Sequence, residues 1–128
     1  MLRKVSNAIL FMQKLRMVQV SVDLQDSLEI SMLNRIGLYE AYKENIPVNY
    51  ILKWHDLGSP GTLHNRLLNL QKKEFVTLDK IDGDARVRYV RLTKKAHEYY
   101  AFLGETMLSP VKVVTEYKVP EIVEKKLR

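Results

Sequence analysis

The sequence predicts a mainly α fold with a small β-hairpin (α+β), and three observations predict it. Apolar residues recur at helical spacing in successive segments up to Lys73; two strand-like runs flanking Asp82-Gly83 follow; a further helical pattern begins after Thr93. The chain has 128 residues, no cysteine and no Gly/Ser/Pro-rich linker, so one compact domain with terminal appendages is expected.

The first helix is read over residues 5 to 20, where Val5, Ile9, Met12 and Leu15 lie three or four apart. Leu10, Phe11, Met17 and Val18 spread the apolar surface around most of its circumference, which calls for cover by a second subunit or by deep packing. Asp26 caps a second helix, with Glu29 at the capping-box position and Leu28, Met32, Leu33, Ile36, Tyr39 and Ala41 as its stripe. Pro47 is read as the first residue of a short third helix reaching about Trp54, and Gly58 ends that stretch. Ser59-Pro60 joins a capping hydroxyl to a proline suited to a first turn, and the fourth helix runs from there to about Lys73. Phe75 to Lys80 and Arg86 to Leu92 form the hairpin, with Asp-Gly as its turn. Thr93 caps a fifth helix that carries Ala96, Tyr99, Tyr100, Leu103 and Met107 on one side, and Ser109-Pro110 stops it. A strand-like piece over Val111 to Tyr117 and a short charged helix after Pro120 are read in the remainder.

This order is that of a winged helix-turn-helix, in which the last helix of the trio enters the DNA major groove. At 100° per residue, Leu63, Leu67 and Leu70 anchor the fourth helix, while Gly61, Thr62, Asn65, Asn69, Lys72 and Lys73 face away and His64 and Arg66 lie on the flanks. Amides that can pair with adenine, a hydroxyl, and cations for phosphates make that outward face suited to a duplex. Net charge points the same way. It is +6 overall, with +4 over residues 1 to 20, −3 over 21 to 47 and +5 over 48 to 95. Arg86, Arg88 and Arg91, flanked by Lys80, Lys94 and Lys95, make the hairpin basic, and such a wing can place arginine in a narrow minor groove. Asp84 is placed to orient Arg86 or to bond the turn backbone.

Ser59-Pro60-Gly61-Thr62-Leu63, the helix to Lys73, Phe75-Val76, and Asp84-Ala85-Arg86 followed by Leu92-Thr93 resemble the multiple antibiotic resistance regulator (MarR) family of bacterial transcription factors over about residues 26 to 105. The resemblance implies a winged helix-turn-helix with N- and C-terminal dimerisation helices: 1–25 for dimerisation, 26–95 for DNA binding, 96–128 for dimerisation again. It implies Thr62, His64, Asn65 and Asn69 as base readers, with Ser59, Pro60, Gly61, Arg66, Lys72, Lys73 and Arg88 also on the DNA and Arg86 in the minor groove. A homodimer on double-stranded DNA is expected, along with room for a small-molecule effector of unspecified chemistry. The sequence departs from the family pattern at Gly61, at Ala85, and at Glu74, where glycine is usual.

Other classes fit poorly. Without cysteine there is no disulfide framework, zinc ribbon or thiolate nucleophile. No G-x-S-x-G, P-loop, G-x-G-x-x-G or H-E-x-x-H pattern occurs, so an enzyme, a cofactor and a metal are not expected; His55 beside Asp56 reads as a structural helix-end pair. The uncharged run Val5 to Gln13 is far below the roughly 20 residues of a membrane span, and a cytoplasmic protein is expected. The competing function is a winged-helix protein-interaction or assembly module whose basic wing meets an acidic partner.

Overall fold

The computed structural model describes residues 6–81 and 84–108, with side chains described for these apart from 81–85. The Asp82-Gly83 turn and both expectations for the segment after Ser109 lie outside the described residues. The elements are α1 (Asn7–Ser21), α2 (Ser27–Ala41), β1 (Ile46–Pro47), α3 (Val48–Ile51), α4 (Pro60–Lys72), β2 (Val76–Ile81), β3 (Asp84–Leu92) and α5 (Lys94–Leu108). Two compact units divide them: one holds residues up to 25 together with those from 99, the other Asp26–Glu98.

Capping decides where the helices begin. Asp26 accepts the Glu29 N–H at 3.0 Å, Ser59 Oγ accepts the Thr62 N–H at 3.3 Å, and Thr93 Oγ1 accepts the Ala96 N–H at 3.2 Å. The helix ends share one device. After α1, α2 and α4 the chain turns through Asp23, Lys43 and Glu74, all with positive φ (58°, 60° and 66°). In each case the next residue's N–H reaches back six residues' span, Leu24 to the Gln19 carbonyl, Glu44 to Tyr39 and Phe75 to Leu70. This is the Schellman closure, which satisfies otherwise orphaned carbonyls but favours glycine at the left-handed position.

Two local readings are corrected. Pro47 is not the first helical residue: it is extended (φ −66°, ψ 145°), pairs with Tyr89, and precedes α3 as its N-cap. Ile46–Pro47 thus forms an outer strand, and the sheet has three antiparallel strands in the order β1-β3-β2 rather than two. Proline fits there because an edge position need not donate to the ladder. The third helix is also shorter than expected, since Lys53 N bonds Tyr50 O at 3.2 Å and Trp54 N bonds Ile51 O at 3.0 Å, the tighter i to i+3 pattern that ends a helix.

In the 26–98 unit, Met32, Leu33 and Ile36 of α2, Ile46, Ile51, Leu63, Leu67 and Leu70 of α4, Phe75, Val76, Val90 and Ala96 are all buried. Each of the three α4 leucines contributes roughly 1.5–3 kcal/mol by leaving water. Ala41, read as part of the α2 stripe, is exposed instead. Beside this core, Trp54 stacks on Tyr39 at 5.9 Å with Arg35 over its ring at 5.0 Å. The same Arg35 grips Asp56 through two hydrogen bonds of 3.0 and 2.6 Å and holds its carboxyl below the usual carboxylate range.

In the other unit, Gln19 Nε2 donates to the Tyr99 hydroxyl at 3.3 Å, joining α1 to the second half of α5, and burial pushes the Tyr99 and Tyr100 phenols up. Ile9 and Met12 of α1 remain 60% and 59% exposed, as are Met107 and Leu108 of α5 in large part. Among the described residues no helix is long and apolar enough to cross a membrane.

A left-handed Glu74 strains the α4 terminus where glycine would not. Glu74→Gly is expected to raise the unfolding free energy by roughly 0.5–1 kcal/mol, the relief of strain exceeding the added chain entropy. Urea melts of the two proteins measure this.

Candidate nucleic-acid interface

Three sides of α4 do three different things. Its buried side is Leu63, Leu67 and Leu70. One flank is tied to α2: Arg66 Nη1 lies 2.8 Å from Asp26 Oδ2 and 3.5 Å from Glu29 Oε2, and Lys73 Nζ bonds Glu29 Oε1 at 3.0 Å. Glu29 itself is only 1% exposed. The capping-box reading of Glu29 pointed at its own backbone; the carboxylate instead receives two cations from a helix far along the chain. Lys73, read as facing outward, turns to it because the last turn of α4 passes the start of α2.

The remaining surface of α4 is open. Ser59, Pro60, Gly61, Thr62, His64, Asn65, Asn69 and Lys72 are all exposed, so the amides and hydroxyls singled out from sequence lie on one accessible side. At its head the Ser59 hydroxyl donates to Thr62 Oγ1 at 2.9 Å while accepting the Thr62 N–H, which fixes both side chains. A Cβ added at Gly61 would meet nothing within 4 Å, leaving the helix start accessible to a close-approaching ligand.

The hairpin changes character along its length. Pairing runs from Val76↔Leu92 through Leu78↔Val90 to Lys80↔Arg88, so by strand alternation these six residues share one face. Val76 and Val90 at the base are buried, whereas Lys80 and Arg88 further out are exposed. The strand acid Asp79 falls on the opposite face with Thr77, which donates to it at 3.0 Å. Beyond Lys80↔Arg88 the register shifts to Ile81↔Asp84, leaving residues 85 to 87 of β3 inside the shift. Arg86 is exposed there; the Asp84 side chain, read as its orienting partner, lies outside the described residues.

The wing and α4 face a common groove. Its volume is ≈ 200 Å³, and its lining includes His64 and Leu68 from α4, Arg86 and Arg88 from β3, and Asn49 from α3. Leu68 is a residue that sequence reasoning passed over. It is 41% exposed, an apolar side chain on an otherwise polar surface, and the i+4 spacing from His64 was the available signal.

Not every cation near the hairpin belongs to this surface. Lys95 donates to the Lys73 carbonyl at 2.7 Å and sits 4.5 Å over the Phe75 ring, so it closes the C-terminal end of α4. Lys94 faces Glu98 at 3.8 Å on α5. Glu40, which the sequence did not mark, accepts the Leu92 N–H at 2.8 Å and bonds His97 Nε2 at 3.0 Å, fastening the end of β3 to the start of α5. Thr93 adds a hydrogen bond of 2.6 Å to the Glu74 carbonyl. Among the described residues no group of His, Asp and Glu is arranged to hold a metal.

No family model matches this sequence, and none of the curated proteins does. Solved structures share its fold at low identity. A mutant of S. aureus MepR bound to an oligodeoxyribonucleotide has a TM-score of 0.62 at 15% identity, over 97% of this chain and 91% of that one. The heme sensor protein PefR from Streptococcus agalactiae, in complex with heme, has a TM-score of 0.54 at 14% identity, over 86% of this chain and 74% of that one. The mainly helical fold with its three-stranded antiparallel sheet is the winged-helix fold that these structures share.

Removing the buried anion should loosen α4. Glu29→Ala is expected to lower stability by about 2–4 kcal/mol, Glu29→Gln by less because it keeps an acceptor for Lys73. Chemical denaturation with near-ultraviolet circular dichroism would check it, and a loss below about 0.5 kcal/mol would contradict the burial.

Proposed function

We propose that this chain is a sequence-specific, double-stranded DNA-binding transcription regulator of MarR type, acting as a homodimer. Residues 60–73 would lie in the major groove and residues 75–92 would bring the wing to the minor groove. The observation that carries the reading is the coincidence of an amide-bearing, exposed side of α4 with an exposed Arg86 and Arg88 across one groove. The structural neighbour bound to an oligodeoxyribonucleotide supports it.

Each residue has a role in this reading. Asn65 and Asn69 lie one helical turn apart on the exposed side and can each pair bidentately with an adenine edge. Thr62 and His64 contact neighbouring bases. Ser59, Pro60 and Gly61 form the exposed N-terminus of α4, where the Gly61 N–H and the helix dipole favour a phosphate. Lys72 contributes a further phosphate contact and Arg88 another, while Arg86 enters the minor groove with Asp84 orienting it. Arg66 and Lys73 add to the positive potential but are held by Asp26 and Glu29, so their part is to fix how α4 is rolled.

Dimerisation is supported by the exposed Ile9 and Met12 of α1 and Met107 and Leu108 of α5, apolar area that a second copy would remove from water. Two such copies would present their α4 helices to half-sites about 34 Å apart.

Two measurements test the proposal. In gel-shift titrations on a duplex selected from a random pool, Asn65→Ala or Asn69→Ala should cost about 1–3 kcal/mol on the selected site and little on unrelated DNA. Arg86→Ala should weaken binding to all duplexes and flatten the salt dependence by about one ion. Unchanged affinity in all three variants would remove these contacts. Light scattering should give twice the 15.0 kDa of one chain, falling to a single chain's mass in Ile9→Asp/Met12→Asp.

A further inference from the structure

One apolar residue stands on the exposed side of α4. Leu68 is 41% exposed, whereas Leu63, Leu67 and Leu70 of the same helix are fully buried and account for the anchoring of α4. At 100° per residue it lies between His64 and the Asn65–Lys72 row, on the flank opposite Arg66 and Lys73. That opposite flank is fixed by the ion pairs to Asp26 and Glu29, so the helix cannot roll to bury Leu68 without breaking them. Its surroundings are mixed. Apolar Val48, Leu78 and Val87 line the adjoining groove together with Arg86, Arg88 and Asn49. An exposed leucine between amides and beside cations suits a ligand whose own surface alternates polar edges with an isolated methyl.

A thymine in the major groove has that surface: an O4 acceptor beside a C5-methyl group that projects into the groove. Resting on the DNA-binding reading above, we propose that Leu68 is a specificity-determining residue that packs against a thymine methyl, one in each half-site. His64 and Asn65 flank it and take the polar edges of adjacent base pairs. Leucine cannot pair with a base edge, so its preference is against any base lacking the methyl, and burial of a single methyl group corresponds to about fourfold in affinity.

The test removes only that methyl. A duplex enriched by the full-length protein from a random pool is resynthesised with deoxyuridine replacing each thymine of one half-site in turn, and binding is titrated with the wild-type protein, Leu68→Ala and Leu68→Met. One position should lose about fourfold with wild type and with Leu68→Met, which keeps an apolar reach, and lose nothing further with Leu68→Ala. Thermal melts check that the variants fold, and the wild-type deoxyuridine series needs no variant at all. A deoxyuridine series in which no thymine methyl matters, or in which its loss costs Leu68→Ala as much as wild type, overturns the assignment while leaving the DNA-binding reading intact. A pool that yields no enriched duplex overturns both.

Discussion

Glu29 sits almost wholly out of water at the start of α2, where an unpaired carboxylate would cost several kcal/mol. Two cations from α4 meet it, Lys73 at 3.0 Å and Arg66 at 3.5 Å, with Arg66 also on Asp26. The leucines bury one side of α4 but are non-directional; a helix on an apolar surface can roll several degrees and lose little. The ion pairs are directional. They hold one flank of α4 against α2, and because the helix is rigid the opposite flank and the polar row between them take defined positions. What the exposed amides can reach is therefore set by a carboxylate that the helix must not leave unpaired.

The wing is fixed by a different balance. Val76, Leu78, Val90 and Leu92 share a face with Lys80 and Arg88, so a single strand face is apolar where the core covers it and cationic where it leaves the core. Alternation would carry that pattern to the tip, but the register shift after Lys80 breaks it and re-aims the residues around Arg86. At the other end β1 covers the inner part of β3, Glu40 takes the Leu92 N–H and Thr93 bonds the Glu74 carbonyl. The hairpin thus projects from a base whose backbone groups are paired, and its acid Asp79 lies on the face away from Lys80 and Arg88.

Schellman closures at Asp23, Lys43 and Glu74 show how the chain accepts local cost for tertiary return. Each residue pays a left-handed backbone that glycine would adopt freely. In exchange Phe75, directly after Glu74, is delivered into the core with its N–H bonded to Leu70, and Lys95 lies over its ring. The termination of α4 and the start of β2 are one structure.

By itself the sequence determined the order of the elements, the caps at Asp26, Ser59 and Thr93, the buried leucines of α4 and the exposed amides, because capping and amphipathic spacing are properties of neighbouring residues. The tertiary structure decided the rest. Ile46–Pro47 became a strand only because β3 offered it a ladder, and two residues carry no periodicity to read. Glu29 and Glu40 became anchors because residues 44 and 52 positions further on come to meet them. Glu29 withdrew Lys73, and the Lys73 carbonyl and the Phe75 ring withdrew Lys95, from a surface to which charge alone assigned them, while Leu68 stayed on it. Local patterns fix what a residue prefers; which partner satisfies a charge, and which apolar side chain stays in water, depends on segments that meet only when the chain is folded.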